Sequence, residues 1–153
     1  MIAETLKLLK KKKNKNVSET IFTKKELDEL IHDKLDRELV KKILELLQGS
    51  KAEEIVLIDV RDSSNLADYM FICEGRSQLH CRGIAENVVF SLKHQGEINL
   101  GIEGELEGNW VLLDYGNIIV HVFHPEIRKY YNLEELYASH QLKDGIKNHN
   151  PSN

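Results

Sequence analysis

The sequence predicts an α/β domain in which helices pack on a mixed sheet of about five strands. Three observations support this. Apolar patterns follow the order helix, two strands, helix, further strands and a last helix, which is typical of layered α/β domains. The strand-like segments are short and rich in β-branched residues. A chain of 153 residues with 41% hydrophobic content can form one sizeable core.

Two helices precede the first strand. Thr23 and Glu26 form a capping box, and the apolar residues after them have helical spacing. This predicts a short amphipathic helix within 23–35 that ends near Asp33. A wider apolar stripe starts at Leu39 and predicts a second helix that opens the main domain, 36–138. Gly49 is expected at its left-handed C′ position.

The next segments predict two strands and a helix. Residues 54–60 and 69–73 form strands that a short polar loop joins, so they are expected to pair antiparallel. Gly75 ends the second strand and Ser77 caps the helix, which closes at Gly96. The predicted buried face of this helix is Cys81, Ile84, Ala85, Val88 and Leu92.

Residues 110–123 predict a β-hairpin, with either Tyr115-Gly116 or Gly116-Asn117 at the turn. Alternation gives one nearly aliphatic face: Val111, Leu113, Tyr115, Ile118, Val120 and Val122. The other face is mixed: Trp110, Leu112, Asp114, Ile119, His121 and Phe123. The mixed face has two interpretations. Its aromatic residues pack under a helix around a hydrogen-bonded core histidine, or the face contacts a partner.

The remaining segments are simpler. Between the third helix and the hairpin we expect at most an edge strand around Ile102. Pro125 and Glu126 suit a first helical turn, and the apolar residues that follow predict a bent or doubled helix with Asn132 as an internal cap. Residues 1–22 form a basic tail, and 139–153 a polar tail.

Composition excludes several classes of protein. The net charge of −4 is not that of a dedicated nucleic-acid binder. Lysines nevertheless cluster at the start, so the tail is either solvated or attracted to a polyanion such as RNA. Two cysteines without a Cys-x-x-Cys indicate reduced thiols and a cytoplasmic location. No segment predicts a membrane span or a secretory signal, and the basic start lacks the arginines of a transit peptide.

No constellation predicts catalysis or a metal site. Glu103, Glu105 and Glu107 alternate, but exposed acidic residues on an edge are ordinary solubility chemistry. His121 and His124 face opposite sides of a strand and do not suit zinc. The Glu74-Gly75-Arg76-Ser77 junction is the best enzymatic candidate, because a strand-to-helix turn can present N–H groups to a phosphate. A plain helix start explains it better, so we expect no catalytic residues and no cofactor.

Several motifs together resemble one known family. These are Ala67-Asp68-Tyr69, Gly75-Arg76-Ser77, Glu103-Gly104, the hairpin with Asp114-Tyr115-Gly116 and Val120-His121, and then Arg128, Tyr131, Leu133-Glu134 and Leu136. In type, order and approximate spacing they resemble the Iojap-like ribosomal silencing factors. The resemblance covers about 39–137, and the hairpin with the helix after it is its most specific part.

The resemblance implies a non-catalytic domain with nucleotidyltransferase-like topology that lacks the catalytic acids and is usually a homodimer. It further implies binding to the large ribosomal subunit through ribosomal protein L-fourteen, which hinders subunit joining and represses translation under nutrient limitation. The partner-binding residues carried over from the motif are Trp110, Asp114, Tyr115, His121, Arg128, Tyr131 and Glu134. The alternative is a nucleotide-binding enzyme that uses Gly75 and Ser77 with Asp59 or Asp68.

Two positions depart from the family pattern. Asn132 stands where the family commonly has Asp, which puts an ion pair with Arg128 in doubt. Tyr137 stands where the family has Trp and keeps an aromatic anchor. Tyr115 has a further ambiguity, since alternation assigns it to the core side although a residue beside the turn can tip outward.

Overall fold

The computed structural model describes residues 24–62 and 64–137. The predicted tails, 1–22 and 139–153, lie outside these described residues. The elements in chain order are α1 (Lys24–Leu30), α2 (Lys34–Gly49), β1 (Glu53–Asp59), β2 (Tyr69–Glu74), α3 (Gln78–His94), β3 (Gly101–Glu103), β4 (Trp110–Asp114), β5 (Ile118–Phe123) and α4 (Pro125–Tyr131). Residues 133–137 add one more helical turn.

The sheet has five strands in the order β1, β2, β5, β4, β3. Strands β1 and β2 pair antiparallel, as predicted, and the hairpin pairs β4 with β5. The central contact between β2 and β5 is parallel, with Tyr69 opposite Ile118 and Glu74 opposite Phe123. The predicted mixed sheet is therefore confirmed.

One face of the sheet carries the larger core, which α2 and α3 cover. Every residue predicted for the buried face of α3 is buried. Leu27 and Ile31 from the first helical segment join the same cluster, so the short helix packs on the domain. The aliphatic hairpin residues, including Val111, Val120 and Val122, lie on this face as predicted.

The ends of α2 differ from the prediction. The helix begins directly after Asp33, whose side chain accepts a hydrogen bond from the Asp36 N–H, so it starts one turn before the apolar stripe. The left-handed residue after the helix is Lys51, at φ 61°, whereas Gly49 is still helical. The expectation of Gly49 at C′ was wrong because the helix continues past it to the Ser50 cap.

The hairpin turn uses Gly116-Asn117, the second of the two predicted choices. Gly116 has a φ of 83°, which glycine adopts without steric cost. The Asn117 carbonyl accepts hydrogen bonds from the N–H groups of Asp68 and Tyr69, so the turn also anchors the start of β2. The opposite face of the sheet carries the mixed hairpin residues under α4.

Candidate functional site

Four aromatic rings meet on the face under α4, and we call them the aromatic cluster: Trp110, His121, Phe123 and Tyr131. The Trp110 ring lies 4.8 Å from both Phe123 and Tyr131, and 5.8 Å from His121, between ring centroids. Phe123 and His121 are buried, Trp110 is partly buried, and Tyr131 is 50% exposed. The cluster therefore runs from the core to the surface.

A hydrogen bond inside the cluster fixes its orientation. The Trp110 Nε1–H donates to His121 Nδ1 at 3.0 Å. Since Nδ1 accepts, the neutral imidazole carries its proton on Nε2, which is buried without a partner among the described residues. Burial lowers the pKa of His121 from 6.5 to about 4. His121 is therefore an uncharged acceptor at neutral pH.

A buried ion network holds α4 against the sheet beside the cluster. Arg128 is only 5% exposed, and its Nε donates to Glu134 Oε1 at 2.9 Å. Its Nη1 donates to the Glu54 carbonyl at 2.7 Å and to Glu74 Oε2 at 3.2 Å. One guanidinium thus joins β1, β2, α4 and the last helical turn. The doubt about an ion pair at Arg128 is removed, because its guanidinium pairs with Glu74 and Glu134 and does not need a charge at residue 132.

Asn132 lies between the two last helical pieces and shapes the surface beside Tyr131. Its φ of 47° places it in the left-handed region, and its N–H bonds to the Arg128 carbonyl. Asparagine tolerates this conformation better than most residues. The predicted bend at Asn132 is therefore present, and Glu134 is carried back over Arg128.

Not all predicted binding residues lie on this surface. Asp114 is at the far end of β4, where its Oδ1 accepts the Gly116 N–H at 2.8 Å and stabilises the turn. Tyr115 points to the α2 and α3 side and is 9% exposed, so the idea that it tips outward was wrong. Burial, and to a smaller extent Glu97, raises the pKa of Tyr115 to about 12. Trp110, His121, Arg128, Tyr131 and Glu134 do come together.

The sequence did not reveal two members of the site. Glu74 was considered only as the first residue of the Glu74-Gly75-Arg76-Ser77 junction, yet it supplies a carboxylate to Arg128. The Glu54 carbonyl is available because the chain at Glu54 has a φ of 50° and the strand register shifts there. An irregularity of this kind leaves little trace in an apolar pattern.

The residues of the enzymatic alternative do not meet. Asp59 and Asp68 lie at one end of the β1 and β2 pair and Gly75 at the other, roughly 20 Å apart for a strand of this length. The Asp59 carboxylate accepts a hydrogen bond from Arg61. The Arg76 N–H donates to His80 Nδ1, and the His80 N–H donates to Ser77 Oγ, so neither N–H group is free to bind a phosphate. Within 24–62 and 64–137, no group of three His, Cys, Asp or Glu residues has the arrangement of a metal site.

None of the described helices is long and apolar enough to span a membrane.

Gly75 has a packing role instead. A Cβ atom at this position would lie 2.8 Å from both the N and Sγ atoms of Cys81. Such contacts are too short for carbon, so only glycine allows the end of β2 to approach the first turn of α3. The strand-to-helix junction is explained by this contact.

Known proteins are similar to this chain in both sequence and fold. The family described as "Ribosomal silencing factor during starvation" matches residues 33–153. The ribosomal silencing factor of Haemophilus influenzae is 37% identical over 100 residues, which cover 65% of this chain and 98% of that protein. The mouse protein named "Mitochondrial assembly of ribosomal large subunit protein 1" is 28% identical over 107 residues, which cover 68% of this chain and 47% of that protein.

A crystal structure of a Chromobacterium violaceum protein superposes with a TM-score of 0.64 at 34% identity, and covers 66% of this chain and 84% of that one. The α/β fold with its mixed sheet is therefore shared with a solved structure of similar sequence. With the match over 33–153, these similarities show that the chain belongs to the ribosomal silencing factor family.

Proposed function

We propose that this protein binds the large ribosomal subunit through ribosomal protein L-fourteen and sterically blocks subunit association, which represses translation when nutrients are limiting. The observation that carries the proposal is the pair Trp110 and Tyr131. Their rings lie 4.8 Å apart; Trp110 is partly buried, and Tyr131 is half exposed at the edge of the cluster. Exposed aromatic side chains of this kind are typical anchors of protein interfaces.

The cluster is preorganised for such a contact. The hydrogen bond to His121 holds Trp110, and the Arg128 network holds the helix that carries Tyr131. Binding therefore orders few side chains at the interface, and this lowers the entropic cost of association. In this proposal His121, Arg128 and Glu134 position the aromatic contacts, while Trp110 and Tyr131 touch the partner.

The family names support a regulatory factor of the ribosome rather than an enzyme. The name of the mouse relative supports the large subunit as the target. A ribosomal target also implies that the protein acts in the cytoplasm, as its bacterial relatives would. No observation favours the nucleotide-binding enzyme, since its residues lie at opposite ends of the strand pair.

Two further contacts belong to the proposal. A homodimer is expected from the family resemblance, and light scattering of the purified protein measures it directly. The lysines of residues 1–15 contact ribosomal RNA without sequence preference, so removing them flattens the dependence of ribosome binding on salt concentration.

Co-sedimentation with purified large subunits tests the surface. Trp110→Ala and Tyr131→Ala should each weaken binding roughly 30-fold, which corresponds to about 2 kcal/mol at a hot spot. The matched control is Leu66→Ala, because Leu66 is 77% exposed and precedes β2 at the other end of the sheet. The same variants should lose the ability to prevent joining of the small subunit. If folded Trp110→Ala and Tyr131→Ala bind like the unchanged protein, the aromatic cluster is not the ribosome-binding surface.

A further inference from the structure

Part of the sheet face that carries the aromatic cluster is left open by α4. Among the strands, α4 packs chiefly on β5, whereas β4 and β3 lie farther out in the sheet. Trp110 and Leu112 on β4 pack against the apolar cluster of this face but are only partly buried. A partner that contacts the aromatic cluster would therefore also cover this part of the sheet.

Glu103 lies on the same open part of the face. It is opposite Leu112 in the sheet, and Leu112 is opposite His121, so the three side chains project from one face. Trp110 is the diagonal neighbour of Glu103, a relation in which Cβ atoms are about 7–8 Å apart. We call Glu103, Trp110 and Leu112 the open strip. The Glu103 carboxylate can thus reach a group that packs on Trp110.

The backbone after Glu103 fixes its position against β4. Gly104 has a φ of 78°, and a Cβ atom there would lie 2.0 Å from the Trp110 carbonyl oxygen. Only glycine therefore lets the chain leave β3 so close to Trp110. The Gly104 carbonyl accepts a hydrogen bond from the Gly108 N–H at 3.0 Å, which closes the turn. Glu103 is exposed, and within 24–62 and 64–137 its carboxylate has no ion-pair partner.

The two glutamates that follow lie on the other side of the sheet edge. Strand β3 ends at Glu103, so the alternation of the three acids does not place them on one face. Glu105 lines a cleft against α3, and Arg82 of α3 donates to the Leu106 carbonyl at 3.0 Å. The connection that carries Glu105 and Glu107 is therefore held beside α3. Of the three glutamates, Glu103 alone belongs to the open strip.

The surroundings of the open strip leave its negative charge uncompensated. Asp114, farther along β4 on the same face, adds a second carboxylate. Arg128 is buried and already paired within the α4 network. The exposed charges of α4 include Glu126 and Lys129, which offset each other. The open strip therefore presents an apolar surface with an acidic edge.

We propose that the open strip binds a basic side chain, arginine or lysine, of the protein partner, and that this side chain pairs with Glu103 and lies against Trp110. A cation is attracted both by a carboxylate and by the face of an indole ring. The same carboxylate repels phosphate, so the open strip contacts ribosomal protein rather than ribosomal RNA. The inference rests on the proposed function and names the chemistry of the contact.

Charge reversal at Glu103 tests the proposal by co-sedimentation with purified large subunits. Glu103→Lys should weaken binding roughly 100-fold, because two like charges then meet at the contact, and Glu103→Gln should weaken it roughly tenfold. The matched controls are Glu105→Lys and Glu107→Lys, which change the same exposed residue type to the same charge outside the open strip. Each control should change binding less than about fivefold.

The direction of the change identifies what lies over the open strip. Stronger binding of Glu103→Lys would place phosphate there and overturn the proposal. Unchanged binding would overturn it too, since no charged group then contacts Glu103. Equal losses in Glu103→Lys and in both controls would also overturn it, because they would reflect the net charge of the protein rather than a contact.

The variants Trp110→Ala and Tyr131→Ala separate this inference from the proposed function. If they weaken binding whereas Glu103→Lys does not, the aromatic cluster still binds the ribosome and only the basic contact is wrong. If Glu103→Lys and both alanine variants bind like the unchanged protein, the surface assigned to ribosome binding is itself wrong.

Discussion

The two faces of the sheet are stabilised by different means. On the α2 and α3 face, a continuous aliphatic and aromatic core buries side chains such as Leu57, Phe71 and Val120 without charged partners. On the α4 face, a short helix is held by one buried arginine and a hydrogen-bonded Trp and His pair. The first face depends on shape and burial alone, whereas the second combines a smaller apolar cluster, which includes Ile72, Phe123 and Ile127, with these directional contacts. The α4 face also presents the proposed binding surface.

Removing the buried arginine should affect the α4 face most strongly. Arg128→Met removes the guanidinium that pairs with the buried Glu134 and the partly buried Glu74, so we expect the free energy of unfolding to fall by about 3–5 kcal/mol. Urea denaturation measures this. The control is Arg76→Met, whose ion pair with Glu53 is long, at 3.6 Å, and exposed, so its loss should cost less than about 1 kcal/mol. Equal losses would mean that the Arg128 network does not hold α4.

The next largest effect should come from protonation of His121. Its folded-state pKa of about 4 lies below the unfolded value of 6.5. The stability that the neutral ring contributes is complete above pH 6.5 and is lost as the pH falls toward 4. Between pH 7.5 and 4.5, this loss should be about 2–3 kcal/mol.

The measurement compares the chain with His121→Asn, which does not titrate, so the contributions of carboxylates shared by both proteins cancel. Trp110 is the single tryptophan, and its fluorescence follows unfolding at the site itself. If the free energy of unfolding changes with pH in the same way for the two proteins, protonation of His121 does not destabilise the fold.

The stability of the α2 and α3 face should instead depend on side-chain volume. Gly75→Ala places a Cβ 2.8 Å from two atoms of Cys81, so we expect a loss of about 1–3 kcal/mol. The matched change is Gly83→Ala in α3, where a Cβ would meet nothing within 4 Å. This variant should gain up to about 1 kcal/mol from helix propensity. Thermal unfolding of both distinguishes tight packing from a general intolerance of substitutions around α3.

The face built on apolar patterning was the easier one to predict. Alternation in the hairpin and helical spacing from Cys81 to Leu92 assigned the buried side chains correctly, because local periodicity follows directly from strand and helix geometry. Tyr115 followed this rule although it lies beside the turn.

The α4 face could be predicted only in part. Trp110, His121 and Phe123 share a face by simple alternation, and this was correct. The Arg128 network could not be derived, since Glu54, Glu74 and Glu134 come from separate elements and meet only after the sheet has formed. The end of α2 was also missed, because a left-handed Lys51 depends on the following strand rather than on the helix sequence.

The parallel contact between β2 and β5 has a consequence for how the chain folds. It divides the sheet into two antiparallel parts, β1 with β2 and β3 with β4 and β5, each of which forms from nearby residues. The parallel pairing of β2 with β5, which we call the seam, places Tyr69 opposite Ile118. These residues are far apart in sequence, and all of α3 lies between them. Closing so long a loop costs entropy before any contact across it forms. We therefore expect the two parts to form early, and the joining of the seam, which also brings Arg128 to Glu74, to limit the folding rate.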